Sequence, residues 1–289
     1  MTDSGLGGLS IAAGFLAASH RYAIPLNLIY FNALPAQDRG YNRMRNQAEK
    51  IAVFNQVLTA AIRRFDPRVL AVACNTLAVL LPEIPILKAY SGDIVDIIYH
   101  GTIEVQNQIE PDEDCDLIIF GTETTIQADV HRSFFSRPPH RFRRVVAQSC
   151  RGLPSAIERG STSTLTNRII NESVRAALRQ LPDKSRKVTL LLACTHFGYV
   201  ADVFRTALQQ AGVTEVRIID PNSGMIKRLI KSVQSRAGQS LQPEDIRIRI
   251  LSKCPLLGEE ITTIANLVRP VSEEIATALE NYELLPDLF

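Results

Sequence analysis

Apolar and polar positions follow two rhythms along the chain. Short, mainly apolar runs cover Leu26 to Phe31, Val69 to Ala73, Ile94 to Tyr99, Leu117 to Phe120, Val145 to Ala147, Val188 to Ala193 and Val216 to Ile219. Their length and β-branched content predict strands buried on both faces. Between them lie longer segments with apolar residues at every third or fourth position: Gly8 to Ser19, Arg45 to Arg64, Asn167 to Leu181, Tyr199 to Ala211 and Met225 to Val233. These predict helices, as does Gly258 to Glu283 with an interruption at Pro270. Strands alternating with helices predict an α/β fold with mainly parallel sheets. In such folds ligands bind beyond the carboxyl ends of strands, so residues immediately after a strand are the first place to look for chemistry.

Composition narrows the function classes. The chain has 289 residues, 46% hydrophobic and 21% charged, enough to bury a core without disulfides or metals. Lys plus Arg outnumber Asp plus Glu by only 32 to 30, so no large field steers the molecule onto nucleic acid or anionic lipid. The one basic run, from His131 to Arg144, interleaves Arg132, Arg137, Arg141, Arg143 and Arg144 with Phe134, Phe135 and Phe142. It reads as a solvated loop before a strand more readily than as a nucleic-acid surface. Cys74, Cys115, Cys150, Cys194 and Cys254 are odd in number and form no C-x-x-C pair, which predicts free thiols in a reducing, cytoplasmic setting. No apolar run approaches the roughly 18 to 20 residues that span a bilayer, so no membrane partner is expected.

Three short motifs carry candidate chemistry. The opening Asp3-Ser4-Gly5-Leu6-Gly7-Gly8 is a glycine-rich turn before a helix, suited to close backbone approach. A dinucleotide site is the weaker reading, because the spacing runs Gly5-x-Gly7-x-x-Ser10 and the next strand ends at Asn32 without an acidic residue for a ribose. The run ending in Ala73 continues as Cys74-Asn75-Thr76, and the run ending in Ala193 continues as Cys194-Thr195-His196. Each half of the chain thus places a thiol and hydrogen-bonding side chains after a strand. Taken singly, a strand-end cysteine is a small core residue and Asn75 or Thr76 a helix cap. With no spaced second pair of ligands, neither turn predicts a metal site.

Together these residues resemble the cofactor-independent aspartate/glutamate racemase superfamily, and glutamate racemases in particular. Phe120-Gly121-Thr122-Glu123-Thr124-Thr125 and Ser149-Cys150-Arg151-Gly152-Leu153 through Glu158 are similar to further segments of that family, in the same order. The resemblance implies two similar three-layer α/β/α domains with the active site in the cleft between them. It implies interconversion of L- and D-glutamate without metal or cofactor, supply of D-glutamate for bacterial peptidoglycan, and a homodimer. By the family's pattern Cys74 acts on the D enantiomer and Cys194 on the L enantiomer. Asp3 supports Cys74, while His196 and Glu158 support Cys194. Ser4, Asn75, Thr76, Thr124 and Thr195 hold the amino acid's polar groups. The chemistry suits two thiols: inversion takes a proton from one face of the α-carbon and returns one to the other, so one sulfur is thiolate while its partner is thiol.

Three departures accompany the resemblance. Only Met1 and Thr2 precede Asp3, where the family has an apolar strand, so that strand is expected to be missing and the native chain to begin upstream. After Phe31 the family's Asp-Thr and Pro-Tyr-Gly give way to Asn32-Ala33-Leu34-Pro35-Ala36-Gln37-Asp38-Arg39-Gly40-Tyr41, which puts one wall of the pocket in question. Phe197-Gly198-Tyr199 replaces Tyr-Pro after Cys-Thr-His. The expected domains are 1–92 with 205–289, and 93–204. The rival readings are another racemase of the superfamily, such as one for aspartate, and a non-catalytic binder of a small ligand.

Overall fold

The computed structural model describes residues 1–37, 39–109, 114–140, 142–181, 187–235 and 246–289; Asp38 of the segment after Phe31 and Arg141 of the basic run lie outside them. Among these, the strands form two sheets. The first has the order β10-β9-β2-β1-β3-β4, with β1 Thr2–Asp3, β2 Leu26–Asn32, β3 Val69–Val72, β4 Asp93–Asp96, β9 Ile246–Ser252 and β10 Glu283–Leu284. The second has the order β6-β5-β7-β8, with β5 Asp116–Gly121, β6 Val145–Ser149, β7 Val188–Ala193 and β8 Val216–Ile219. Every pairing is parallel. The molecule is therefore α/β with two parallel sheets, as the alternation of patterns predicts.

The helices are α1 Leu9–Arg21, α2 Gln47–Phe65, α3 Asn75–Ala78, α4 Ile97–Gln108, α5 Glu123–Gln127, α6 Val130–Phe135, α7 Leu153–Arg159, α8 Thr164–Leu178, α9 Ala201–Gln210, α10 Asn222–Gln234, α11 Gly258–Val268 and α12 Glu273–Glu280. The second sheet shows why its strands read as unbroken apolar runs. Ile118, Phe120, Leu190 and Leu192 pack with Ile170 of α8 and Phe204 of α9, whereas Leu117, Ile119 and Leu191 pack with Val105 of α4 and Phe135 of α6. Alternate residues point to opposite faces and helices cover both, so β5 and β7 are buried throughout.

Three features differ from the expectations. The first strand is not missing: β1 is a short strand in the middle of the first sheet, paired with β2 and β3. Two residues carry no periodicity, and the flanking strands supply the ladder, Phe31 N–H donating to Met1 O at 2.8 Å and Ala73 N–H to Thr2 O at 2.9 Å. Beside Met1, residues of β2, β3 and α10 line a cavity of about 320 Å³. Second, the run Ile94 to Tyr99 is strand only to Asp96, whose side chain accepts from Tyr99 N–H at 2.9 Å and starts α4. Third, β9 was not predicted, because Ile246-Arg247-Ile248-Arg249-Ile250 interrupts its apolar residues with arginines; it pairs along its whole length with β2. In addition, β4 joins the first sheet and β8 the second, so sheet membership changes after Asp96 and after Ile219. The basic run folds largely onto its neighbours: Arg132 pairs with Asp129 at 2.6 Å, Arg143 with Asp114 at 2.9 Å, and Phe135 is buried.

The topology fixes where a site can form. From β1 the chain passes to β2 on one side and then to β3 on the other; from β5 it passes to β6 on one side and then to β7 on the other. Each sheet thus has a switch point, β1/β3 and β5/β7, where the outgoing loops part and leave a crevice. The residues beyond those strand ends are Ser4, Cys74, Thr122 and Cys194.

Candidate active site

The two crevices meet. Thr195 Oγ1 donates to Asp3 Oδ2 at 2.9 Å, the Thr76 and Thr122 hydroxyls lie 2.8 Å apart, and Leu6 N–H donates to Glu158 Oε1 at 2.9 Å. Each of these bonds joins the first sheet's loops to the second's. The glycines after Ser4 allow the approach: a Cβ at Gly5 would stand 2.9 Å from Glu158 Oε1, and one at Gly7 would overlap His196 and Thr195. The glycine-rich opening therefore serves contact between the two halves.

Cys74 follows β3 and precedes α3, 4% exposed, with Ser4 Oγ 3.2 Å from its sulfur. Burial, then the neighbouring Asp3 carboxylate, pushes the Cys74 thiol far above its ordinary pKa, outweighing the hydrogen bond with Ser4. Asp3 is fully buried. Its carboxyl is raised by that burial, with His196 and Thr195 pulling the other way. Its side chain accepts from Gly5 N–H at 3.0 Å and from Thr195, so it reaches Cys74 through its field and not through a hydrogen bond.

Cys194 follows β7, 6% exposed, and its sulfur lies 3.8 Å from His196 Nδ1. The other ring nitrogen, Nε2, is 2.7 Å from Glu158 Oε1. Burial disfavours the imidazolium, but the Glu158 carboxylate and the bonds to Cys194 and Glu158 outweigh it and hold the His196 pKa well above its usual value. Glu158 responds in the opposite sense: burial raises it, the histidine charge prevails, and its pKa is lowered. His196 and Glu158 thus form a buried ion pair with a ring N–H free to point at Cys194.

All the residues singled out from sequence gather here. Asn75 is 2% exposed, and neither polar atom of its side chain has a partner among the described residues. Thr124, on α5, donates from its backbone and hydroxyl to Asn42 Oδ1 at 3.1 and 2.8 Å, and its hydroxyl accepts from Lys50 Nζ at 2.7 Å. Tyr41, Asn42, Lys50 and Thr122 stand beside these residues and are not among those singled out from sequence. The first three sit in or after the segment that departs from the family pattern; Thr122 caps α5, with its hydroxyl accepting from Thr125 N–H at 3.3 Å. Cys150 is fully buried, which pushes its thiol up to about 12, and it lies outside this constellation with Cys115 and Cys254.

No family profile matches the chain. A glutamate racemase of Staphylococcus aureus is 25% identical to it over 202 residues, 68% of this chain and 67% of that protein. The crystal structure of glutamate racemase from Francisella tularensis in complex with D-glutamate is similar at a TM-score of 0.71 and 19% identity, over 93% of this chain and 92% of that one. A glutamate racemase isoform from Bacillus anthracis is similar at 0.67 and 18%, over 98% and 93%. With two parallel sheets meeting at their switch points, and a cysteine turn on each, the chain has the fold of these glutamate racemases and is similar in sequence to the aspartate/glutamate racemase superfamily.

Proposed function

We propose that the protein interconverts L- and D-glutamate by a two-base mechanism, with Cys74 and Cys194 as the bases, and so supplies D-glutamate for peptidoglycan. The observation that carries this reading is the contrast between the thiols. Cys74 is surrounded by burial and a carboxylate, which favour the thiol. Cys194 instead lies 3.8 Å from the Nδ1 of an imidazole that Glu158 keeps charged, so a cationic proton donor stands beside one sulfur and a carboxylate beside the other. A two-base inversion needs one acid and one base on opposite faces of the α-carbon.

In the L-to-D direction the Cys194 sulfur takes the α-proton, and the electron pair left on the α-carbon spreads into the α-carboxylate. Asn75, Thr76 and Thr195 offer hydrogen-bond donors for that charge, with the unpartnered Asn75 side chain the best placed to accept a new ligand. Cys74 then donates its proton to the opposite face. One C–H bond breaks and one forms, one S–H forms and one breaks, and the thiol and thiolate have exchanged places. The D-to-L reaction runs the same steps backward.

The test is incubation of L- and D-glutamate with the protein in deuterated water. Deuterium is expected at the α-carbon together with loss of optical rotation, with inversion slowed by orders of magnitude in Cys74→Ala and Cys194→Ala. Wild-type rates in either variant would overturn the assignment.

A further inference from the structure

We propose that Lys50 is the specificity-determining residue of this site, its ammonium receiving the side-chain carboxylate of the amino acid; the assignment rests on the racemase reading above and names the group that selects an acidic substrate. Lysine is seldom buried without a partner. Lys50, on α2, is nonetheless only 9% exposed; Glu123 acts on it through its field and is itself paired with Arg151, and no carboxylate among the described residues lies within ion-pair distance of the ammonium. Its Nζ reaches across the cleft to Thr124 Oγ1 at 2.7 Å. That hydroxyl is already committed as a donor to Asn42 Oδ1, so Thr124 satisfies one of the three ammonium donors and cannot turn to meet another. Two N–H groups remain for an incoming acceptor. A sheltered cation with spare donors is costly alone and is stabilised when an anion arrives.

The surroundings fix which anion. The α-carbon has to lie between the two sulfurs, and the residues directly after each thiol, Asn75 with Thr76 and Thr195, reach the α-substituents. Lys50 comes from a different helix and enters beyond them, past Thr124 at the start of α5. Tyr41 stands one residue before Asn42; its ring is buried, its hydroxyl has no partner among the described residues, and it lies near enough to Cys74 for the two to interact electrostatically. The Tyr41 hydroxyl and the Asn75 amide are therefore buried polar groups left for an incoming ligand. This is the wall whose sequence departs from the family, so a cation borne on α2 would do here what that altered loop does not.

Binding separates this proposal from the racemase reading. D-glutamate and its neutral isostere D-glutamine are titrated calorimetrically into the whole protein and into Lys50→Met and Lys50→Arg, with thermal unfolding recorded for each. The wild type is expected to prefer glutamate, and Lys50→Met to lose about tenfold or more in glutamate affinity with glutamine within about twofold. Lys50→Arg, which keeps the charge, is expected to keep most of the preference, and it decides the matter should Lys50→Met not fold. Equal loss for both ligands would mean that Lys50 merely ties the two halves together, and would overturn the proposal, as would an unchanged preference. Glutamate selectivity that depends on Lys50 in a protein that exchanges no α-hydrogen would sink the racemase reading and leave the Lys50 assignment standing.

Discussion

The turns after β3 and β7 are built alike and charged differently. Each ends a buried strand in Ala-Cys, continues into a helical turn, and leaves its cysteine almost without exposure. What differs is what faces the sulfur. Cys74 is approached by a hydroxyl and an anionic neighbour, Ser4 and Asp3; Cys194 is approached by an imidazole whose far side is held by Glu158. Similar backbones place the two sulfurs, and the side chains around each come from its own half. The difference teaches that contacts between the halves hold those neighbours in place: Glu158 accepts from the backbone of the glycine-rich opening, and Asp3 accepts from Thr195.

The strongest way to break the comparison is to remove a sulfur. Cys74→Ala and Cys194→Ala are each expected to lower kcat/KM for inversion by about 10²- to 10⁴-fold, since a positioned acid or base contributes in that range. Because the enantiomers have equal free energy, the loss must be the same in both directions for a given variant, which polarimetry from either side checks.

Glu158→Gln keeps the shape and deletes the charge. His196 has its pKa raised above 6.5 in the folded protein, so its contribution is complete below that value and is lost as pH rises through the folded pKa. Glu158 is lowered from 4.5, so its contribution is present above 4.5 and is lost as pH falls through its folded value. The destabilisation of Glu158→Gln is therefore expected to be greatest between pH 4.5 and 6.5, at up to about 3 to 5 kcal/mol for a broken buried pair, and to shrink on either side. Urea unfolding across pH measures it. The alkaline limb of the pH–rate profile should also move toward acid, because the uncharged neighbour no longer holds the imidazolium.

A smaller change sharpens the other half. Asp3→Asn removes the carboxylate that raises the Cys74 thiol, so Cys74 should ionise at lower pH than in the wild type. The rate of its alkylation against pH, followed in a Cys194→Ala background, reads the shift; a curve moved toward alkali would contradict the electrostatic account. The smallest effect belongs to Thr76→Val, which breaks the hydroxyl pair with Thr122 between the halves and is expected to cost about 0.5 to 1.5 kcal/mol by thermal unfolding.

Much of this was legible in the chain because parallel strands buried on both faces announce themselves as apolar runs. The strands Val188–Ala193 and Val216–Ile219 coincide with the runs that predict them, and the cysteines stand out by following such runs. The misses share a physical origin in tertiary context. β1 is held by its neighbours' ladders and not by its own two residues, and β9 hides behind two arginines that find solvent and Glu283. Lys50 reads in sequence as one more polar position on an amphipathic helix. Only the fold shows its ammonium turned toward Thr124.

The overlap that any side chain at position 7 would meet has a consequence for how such a centre can change over time. A methyl group there would strike the imidazole ring and the Thr195 hydroxyl together, so one replacement far from either sulfur in sequence would shift proton transfer on one side and the hold on Asp3 on the other. Tolerance at Gly7 should accordingly be inherited only alongside a smaller residue at position 196, tying the fate of the chain's first turn to that of a residue in its second sheet's loops.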